Sequence, residues 1–573
     1  MAALSGSSMD GSDAGPFITE GRTLKMKYKR VLSALLAVAM GVSMAACGGS
    51  SESGSTSASS AASASQEASA PGVGGTLTVG LNANPVSSNI WVQNDLNSSV
   101  IMNLVCPNLV TMDETGNKYG YLAEATSNED CTQWTVTLKD LYWNDGTPVT
   151  AEDVAFSTTY GVEHQIGFFD SYYGHVASTE VVDDKTVVFN LESADVNFFN
   201  GGFYWIPIMR KSEFESVTDP LNYIYSGAGY GPYYVDEWVD GQYVSLKRNP
   251  YFTQANDGQG AYLDNILFRV YTDENAMVLA LENGEIDVCA NYISANSQTQ
   301  LAANEKYLLT TVDGLGYGQL SYSQTNALLQ DVNMRQAISM CIDREALVAV
   351  GMNGEATAMY TPISPVYQDF VASNIQQPAF DTAAAKSLLE SNGYADTDGD
   401  GILESADGTK ASFTVSYKTS IQNVDNVMEI LRTGAAQAGI ELKLEPLDAS
   451  TYSAKVTNGQ TFDISYSIWG TIDDVDTTLY TCYGIGQTLN FMQYNNEEMD
   501  NLLIAMKSEP DRAKRIEMLD QWQQLWVDNM PSAMTYVPKQ TYVANTEKFA
   551  GFSAVLGNCG YLNCAQAIGI YAK

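Results

Sequence analysis

Residues 141–154 read Leu141-Tyr142-Trp143-Asn144-Asp145-Gly146-Thr147-Pro148-Val149-Thr150-Ala151-Glu152-Asp153-Val154. The apolar start reads as the end of a strand, and Asn144-Asp145-Gly146 supplies a turn. Thr150 with Asp153 three residues later offers a capping-box-like helix start. Strand, turn and helix N-terminus follow one another directly, so the stretch marks a scaffold and does not itself bind a ligand.

Outward from this stretch the hydrophobic pattern is mixed. Thr76–Leu81 alternates, as do Thr186–Leu191 and Gln133–Leu138, where Trp134, Val136 and Leu138 share a face; all three read as strands. Helical spacing runs over 331–350, with Val332, Ala337, Ile338, Cys341 and Ile342 on one side. It recurs over 381–392, where Asp381 caps the start, Gly393 the end, and Ala384, Ala385, Leu388 and Leu389 form the buried stripe. The region 496–529 reads as two further helices divided near Pro510. Strands and helices alternate unevenly, which suits an α/β protein of several lobes. The length agrees: the chain has 573 residues, and single cores stop growing at about 250–300.

The N-terminal region fixes a compartment. Lys25, Lys27, Lys29 and Arg30 precede an apolar run over 31–46 that is shorter than the ~20 residues a spanning helix needs, so it reads as a signal peptide. The run closes on Met44-Ala45-Ala46-Cys47-Gly48-Gly49. Small residues before a cysteine resemble the lipobox of bacterial lipoproteins, which implies a lipid on Cys47 and a location on the outer face of the bacterial cytoplasmic membrane. Residues 1–46 are then a removed leader, with 1–25 an upstream-start extension, and the Ser/Ala/Gly-rich 47–74 is a tether.

Charge and residue inventory exclude several functions. Lys and Arg number 29 against 67 Asp and Glu, a balance that repels phosphate backbones and argues against nucleic acid as a partner. Aromatic residues make up 10%, too many for an acidic chain that stays unfolded. His164 and His175 are the two histidines, and there is no H-E-x-x-H, G-x-S-x-G or phosphate loop, so no catalytic constellation is expected. A carboxylate-pair hydrolase is the alternative that motifs alone leave open. Besides Cys47 there are seven cysteines without C-x-x-C pairs, so zinc is not expected. Cys559 and Cys564 are the closest pair for a bridge.

Several blocks, in order, resemble the bacterial extracellular solute-binding proteins of family 5, the oligopeptide- and dipeptide-binding lipoproteins of ABC transporters. Residues 141–154 are similar to the family's W-x-D-G-x-P-V-T-A-x-D signature. Gly229-Tyr230-Gly231-Pro232-Tyr233 and Arg248-Asn249-Pro250-Tyr251 resemble its G-x-G-P-Y strand and R-N-P-x-Y turn. Gly284-Glu285-Ile286-Asp287, the Asn333-Met334-Arg335-Gln336-Ala337-Ile338 helix with Asp343-Arg344, and 385–394 follow as further matches. The resemblance implies a two-lobed periplasmic-binding-protein-like clamp with an additional domain, of type II, cluster C architecture. It divides the chain into lobe I (75–115, 225–315 and 535–573), an extra domain (116–224) and lobe II (316–534). It further implies a monomer without enzymatic activity that closes on a peptide and hands it to the permease subunits of an ABC importer, touching the membrane only through its lipid. Oligosaccharide is the alternative cargo, and metal chelate or haem a third.

The resemblance also implies the site. Residues 462–469 alternate as a strand ending at the cleft, where the family pairs peptide main chain and an Asp beyond the Trp holds the peptide amine. The expected ligand-binding residues are therefore Ile468, Trp469, Gly470, Asp473 (Asp474 second), Tyr322 as a cleft aromatic, and Asn94 in the first lobe's loop. A separate constellation, Asp396, Asp398 and Asp400 with Gly401 sixth and Asp407 twelfth, resembles a calcium loop. A strand follows it from Ser412, so it is not a full EF-hand. Structural calcium and a plain surface turn both fit; no other cofactor is expected.

Overall fold

In a computed structural model the described residues are 73–573, apart from 93–94, 114–115, 168, 259, 272, 374, 376, 470–474, 488, 555 and 557–559. Cys47, Asn94, Gly470, Asp473, Asp474 and Cys559 lie outside the described residues.

The alternating strand Thr76–Leu81 is interior to a large mixed sheet, and its Leu77, Val79 and Leu81 have no exposed surface. It runs parallel to Asn265–Val270 on one side and to Val288–Cys289 on the other. Tyr243–Arg248 and Tyr233–Val239 extend the sheet one way, Tyr536–Asn545 and Tyr307–Asp313 the other. Asp287 ties this sheet together from within. It is nearly buried, accepts the Thr78 amide (3.0 Å) and pairs with Lys548 Nζ (3.2 Å).

Ala123–Ser127, Gln133–Leu138, Thr186–Leu191 and Val176–Val181 form a separate antiparallel sheet. It packs under the helices Ala151–Glu163 and Phe198–Trp205 and shares one continuous core with the first sheet. The 141–154 stretch joins the two. Trp143 stands edge-on to Tyr230 (centroids 5.2 Å apart) beneath the Arg210 guanidinium, which also pairs with Asp145. Gly146 has a φ of +84°, and a methyl there would meet the Tyr251 ring at 2.9 Å, so only glycine fits. Asp153 accepts the Thr150 amide (2.9 Å) and, with its other oxygen, the Lys211 amide (2.9 Å).

A second core is built on the sheet Glu441–Leu447, Ser412–Lys418, Ile464–Ile468, Gly318–Tyr322 and Ser532–Met534. Helices Thr382–Ser391, Val424–Gln437, Glu497–Ser508 and Arg512–Asn529 cover it. The expected helix over 331–350 is interrupted. Val332–Met340 ends at Cys341, and Asp343 then caps a new turn by accepting the Ala346 amide (2.9 Å). The break turns Arg344 inward, where its Nε donates to the carbonyls of Met359 and Met534 (3.0 Å each). Arg335 is spent the same way, on the carbonyls of Leu329 (2.7 Å), Gln330 (2.9 Å) and Met530 (3.0 Å). Both Arg335 and Arg344 of this family-like block are buried carbonyl clamps.

Two neighbouring segments carry the chain between the cores. Residues 314–317 lead from Tyr307–Asp313 into Gly318–Tyr322, and Thr535 leads from Ser532–Met534 back into Tyr536–Asn545. Gly314 N–H donates to the Pro538 carbonyl (2.8 Å), and Thr535 N–H to that of Gly318 (2.9 Å). A strap, Ala356–Ala358, leaves the second lobe to pair with the start of Tyr536–Asn545. Away from these crossings the lobes touch where Val196 N–H donates to the Lys507 carbonyl (3.3 Å). They meet again at Gly116, where an added methyl would lie 3.4 Å from Val366 and 3.5 Å from Tyr367. The chain is α/β, two lobes joined at a double crossing.

Candidate functional site

The strand Ile464–Ile468 is fixed at its start by Asp463. One carboxylate oxygen accepts the Asn326 amide group (2.9 Å), the other the Thr414 backbone N–H (2.9 Å), and the carbonyl takes Ser323 N–H (2.9 Å). Antiparallel pairing with Gly318–Tyr322 then runs along the strand, and Trp469 N–H still reaches the Tyr317 carbonyl (2.9 Å). Hydrogen-bonded positions alternate in such a ladder. With Asp463 and Trp469 bonded to that neighbour, the backbone groups of Ile464, Tyr466 and Ile468 face the opposite edge. There the parallel strand Ser412–Lys418 pairs with Ile464 through Tyr466 and no further. Among the described residues, Ile468 therefore presents its N–H and C=O along an unpaired stretch of edge, directly beside the crossing at 314–317.

Trp469 frames that stretch. Its Nε1 donates to Gln319 Oε1 (3.1 Å), and its ring lies parallel to Phe491, with 8° between planes and centroids 6.4 Å apart. Trp469 and Ile468 are both half-buried. Beneath them Gly318 lets three side chains close in: a methyl there would meet Thr535 Oγ1 at 2.3 Å, the Tyr466 hydroxyl at 2.7 Å and Ile468 Cδ1 at 3.1 Å. Burial pushes the Tyr466 and Tyr317 phenols well above their ordinary value, so both stay neutral. Gln319, Phe491 and Gly318 were not visible in the sequence as site residues. Phe491 arrives from a distant loop, and a lone Gly or Gln in a strand carries no signal of its own.

The structure brings Ile468 and Trp469 together and leaves Tyr322 out. Tyr322 has no exposed surface and belongs to the second core beside Arg344 and Cys341. The expectation that it faces the cleft is corrected: it is the last residue of Gly318–Tyr322, five residues beyond the crossing, and packs inward. Of the loop around Asn94, the described Asp95 accepts the Ser98 amide (2.9 Å) as the cap of Leu96–Val105.

The acidic loop differs from expectation by one residue. Asp396, Asp398 and Asp400 converge with Glu404, one carboxylate oxygen of each lying within 4.8 Å of the others. Asp407 instead closes its own turn, accepting from Ser405 Oγ (2.6 Å) and the Thr409 amide (3.1 Å). The six described cysteines are buried and form no bridge among themselves. Burial holds Cys106 and Cys564 up at about 12, which favours the neutral thiol at both; Cys106 Sγ donates to the Tyr225 hydroxyl, and Cys564 shares a hydrogen bond with that of Tyr121. His175 lies 3.0 Å from the Asp195 carboxylate, in the first lobe and away from the open edge.

Residues 119–490 match the family described as bacterial extracellular solute-binding proteins, family 5. The oligopeptide-binding protein AppA of Bacillus subtilis is 28% identical over 546 residues, covering 92% of this chain and 97% of that protein. Its structure in complex with a nonapeptide superposes with a TM-score of 0.71 over 88% of this chain and all of that one, at 25% identity. A periplasmic oligopeptide-binding protein from Thermotoga maritima shares the fold at a TM-score of 0.76, with 20% identity over 87% of this chain and 99% of its own. With two lobes, a double crossing and the matched middle region in hand, the chain belongs to family 5 of the bacterial extracellular solute-binding proteins.

Proposed function

We propose that this chain captures peptides between its lobes outside the cell and presents them, lobes closed, to the permease subunits of an ABC importer. The observation that carries this is the unpaired edge at Ile468. An extended peptide adds to such an edge through main-chain hydrogen bonds, which bind without regard to side-chain identity. Trp469 and Phe491 offer apolar area for a peptide side chain beside it. Asp473, with Asp474 second, is the proposed partner of the peptide amine just past Gly470, since an ammonium taken from water needs a charged acceptor. Likeness to an oligopeptide-binding protein over nearly the whole chain supports the same cargo. Cys47 bears the lipid that keeps the monomer at the membrane.

Calorimetry on ligand-stripped protein, with mixed peptides against mixed oligosaccharides, tests the cargo. Peptide binding that is lost on Asp473→Ala and on acetylating the peptide amine supports the clamp. Equal affinity after acetylation removes it. Binding by oligosaccharide alone assigns the parallel Trp469–Phe491 rings to sugar stacking, and turnover of either substrate makes the chain a hydrolase.

A further inference from the structure

The loop Asp396-Thr397-Asp398-Gly399-Asp400-Gly401-Ile402-Leu403-Glu404 lies outside the peptide site and has a construction of its own. Its ends are stitched by a pair of backbone bonds, Ala395 N–H to the Glu404 carbonyl (2.9 Å) and the reverse (2.8 Å). Gly399 and Gly401 take φ values of +80° and +90°, which lets the chain wrap tightly around one point. Asp396 is held from both sides, one oxygen accepting Gly399 N–H (2.7 Å) and the other Gly401 N–H (3.0 Å). Leu403, next to Glu404, is buried in the core of the second lobe and roots the loop there.

Four carboxylates face the enclosed point, one oxygen of each within 4.8 Å of the others. Two oxygens on one calcium ion, each at about 2.3–2.6 Å, cannot be much further apart than that. Three of the four are exposed, as any acidic turn would be, but Glu404 is not: its side chain is 3% exposed. Its Oε2 accepts from the Thr397 amide (2.7 Å) and hydroxyl (2.8 Å). Its Oε1 is buried and has no hydrogen-bond partner. A carboxylate oxygen buried without a donor is costly and aims at something cationic. The nearest cation is Lys410 Nζ, at 3.7 Å beyond hydrogen-bond reach, which also lies 2.8 Å from Asp398 Oδ2 and touches Asp400. One ammonium, 37% exposed on a flexible stem, stands among four carboxylates.

We propose that residues 396–404 form a calcium site in which Asp396, Asp398, Asp400 and Glu404 are the protein ligands and Lys410 is a displaceable ammonium. Calcium takes six to eight oxygens in flexible geometry, which four carboxylates reach with bidentate binding, a loop carbonyl or water. Magnesium keeps its water and demands an octahedron, so it binds this crowded acidic loop poorly. Calcium binding fixes the loop onto the second lobe and stabilises that lobe by linkage.

The test is calorimetric titration of the purified, chelator-treated protein with calcium chloride and with magnesium chloride, with no peptide present, so its outcome is independent of the cargo. One saturable calcium site, binding magnesium at least ~10-fold more weakly and raising the melting temperature, is expected. Asp398→Asn, at a half-exposed position that leaves folding intact, lowers calcium affinity by about tenfold or more, and Lys410→Ala raises it. Calcium binding of equal strength in Asp398→Asn places the ion elsewhere on the acidic surface and overturns the proposal. So does the lack of any heat or melting shift up to roughly 10 mM calcium, well above the weakest extracellular sites.

Discussion

Arg344 shows how much of the family-like sequence is structural. Burial alone lowers its guanidinium to about 10, still charged at neutral pH, and its donors satisfy carbonyls from two other segments. Arg344→Met removes those donors, taking the Arg344 donor from the Met359 carbonyl and leaving that of Met534 with Gln377 Nε2 (3.3 Å). The second lobe should lose about 3 kcal/mol, read from its transition in chemical denaturation. Asp145 makes a milder case with a pH signature. Burial opposes its charge, but hydrogen bonds from Thr147 and the Arg210 guanidinium outweigh it and hold the carboxyl down at about 2. Against an unfolded value near ~3.9, the folded state binds fewer protons, so the contribution is present above about pH 4 and lost as pH falls toward 2. Asp145→Asn should flatten the melting temperature over that interval, by a small amount because the carboxylate is half exposed.

At the scale of elements, the strand Ile464–Ile468 is the one proposed to bind peptide, and Gly318 lets it lie where it does. Gly318→Ala forces a methyl onto Thr535 and Tyr466, which should destabilise the second lobe by roughly 1–3 kcal/mol and weaken peptide binding with it. Ile468→Pro is more selective. It removes the N–H that Ile468 presents to the open edge while keeping extended backbone, so peptide affinity should fall by about tenfold with little change in melting temperature. The alternating strands at 76–81, 133–138 and 186–191 were legible because period-two patterning fixes both the element and its buried face. The helix over 331–350 was misread at Asp343, where an apolar periodicity continues across a break made by a capping carboxylate. Trp469 was legible as the end of a strand, while Tyr322 was misplaced. An aromatic near a crossing has the same sequence whether it turns toward cargo or toward the core, and only packing decides. Glu404 in place of Asp407 has a similar cause: spacing counts residues along the chain, but a backbone bridge at Ala395 and Glu404 decides which carboxylate turns inward.

At the scale of the molecule, two lobes, the first with two main sheets over one core and the second with one, are joined by 314–317 and Thr535 and strapped by Ala356–Ala358. Paired crossings of this kind leave rotation of one lobe against the other as the soft motion, with the element-terminal residues absorbing it. The open edge at Ile468 lies next to those crossings, so under the proposed function a peptide bound there would contact both lobes and shift their populations toward closure. Small-angle scattering of ligand-stripped protein, before and after saturation with a peptide that binds by calorimetry, measures this directly. A smaller radius of gyration with peptide, reached by Ile468→Pro only at about tenfold higher peptide concentration, is the predicted result. An unchanged radius with peptide demonstrably bound would contradict a hinged clamp.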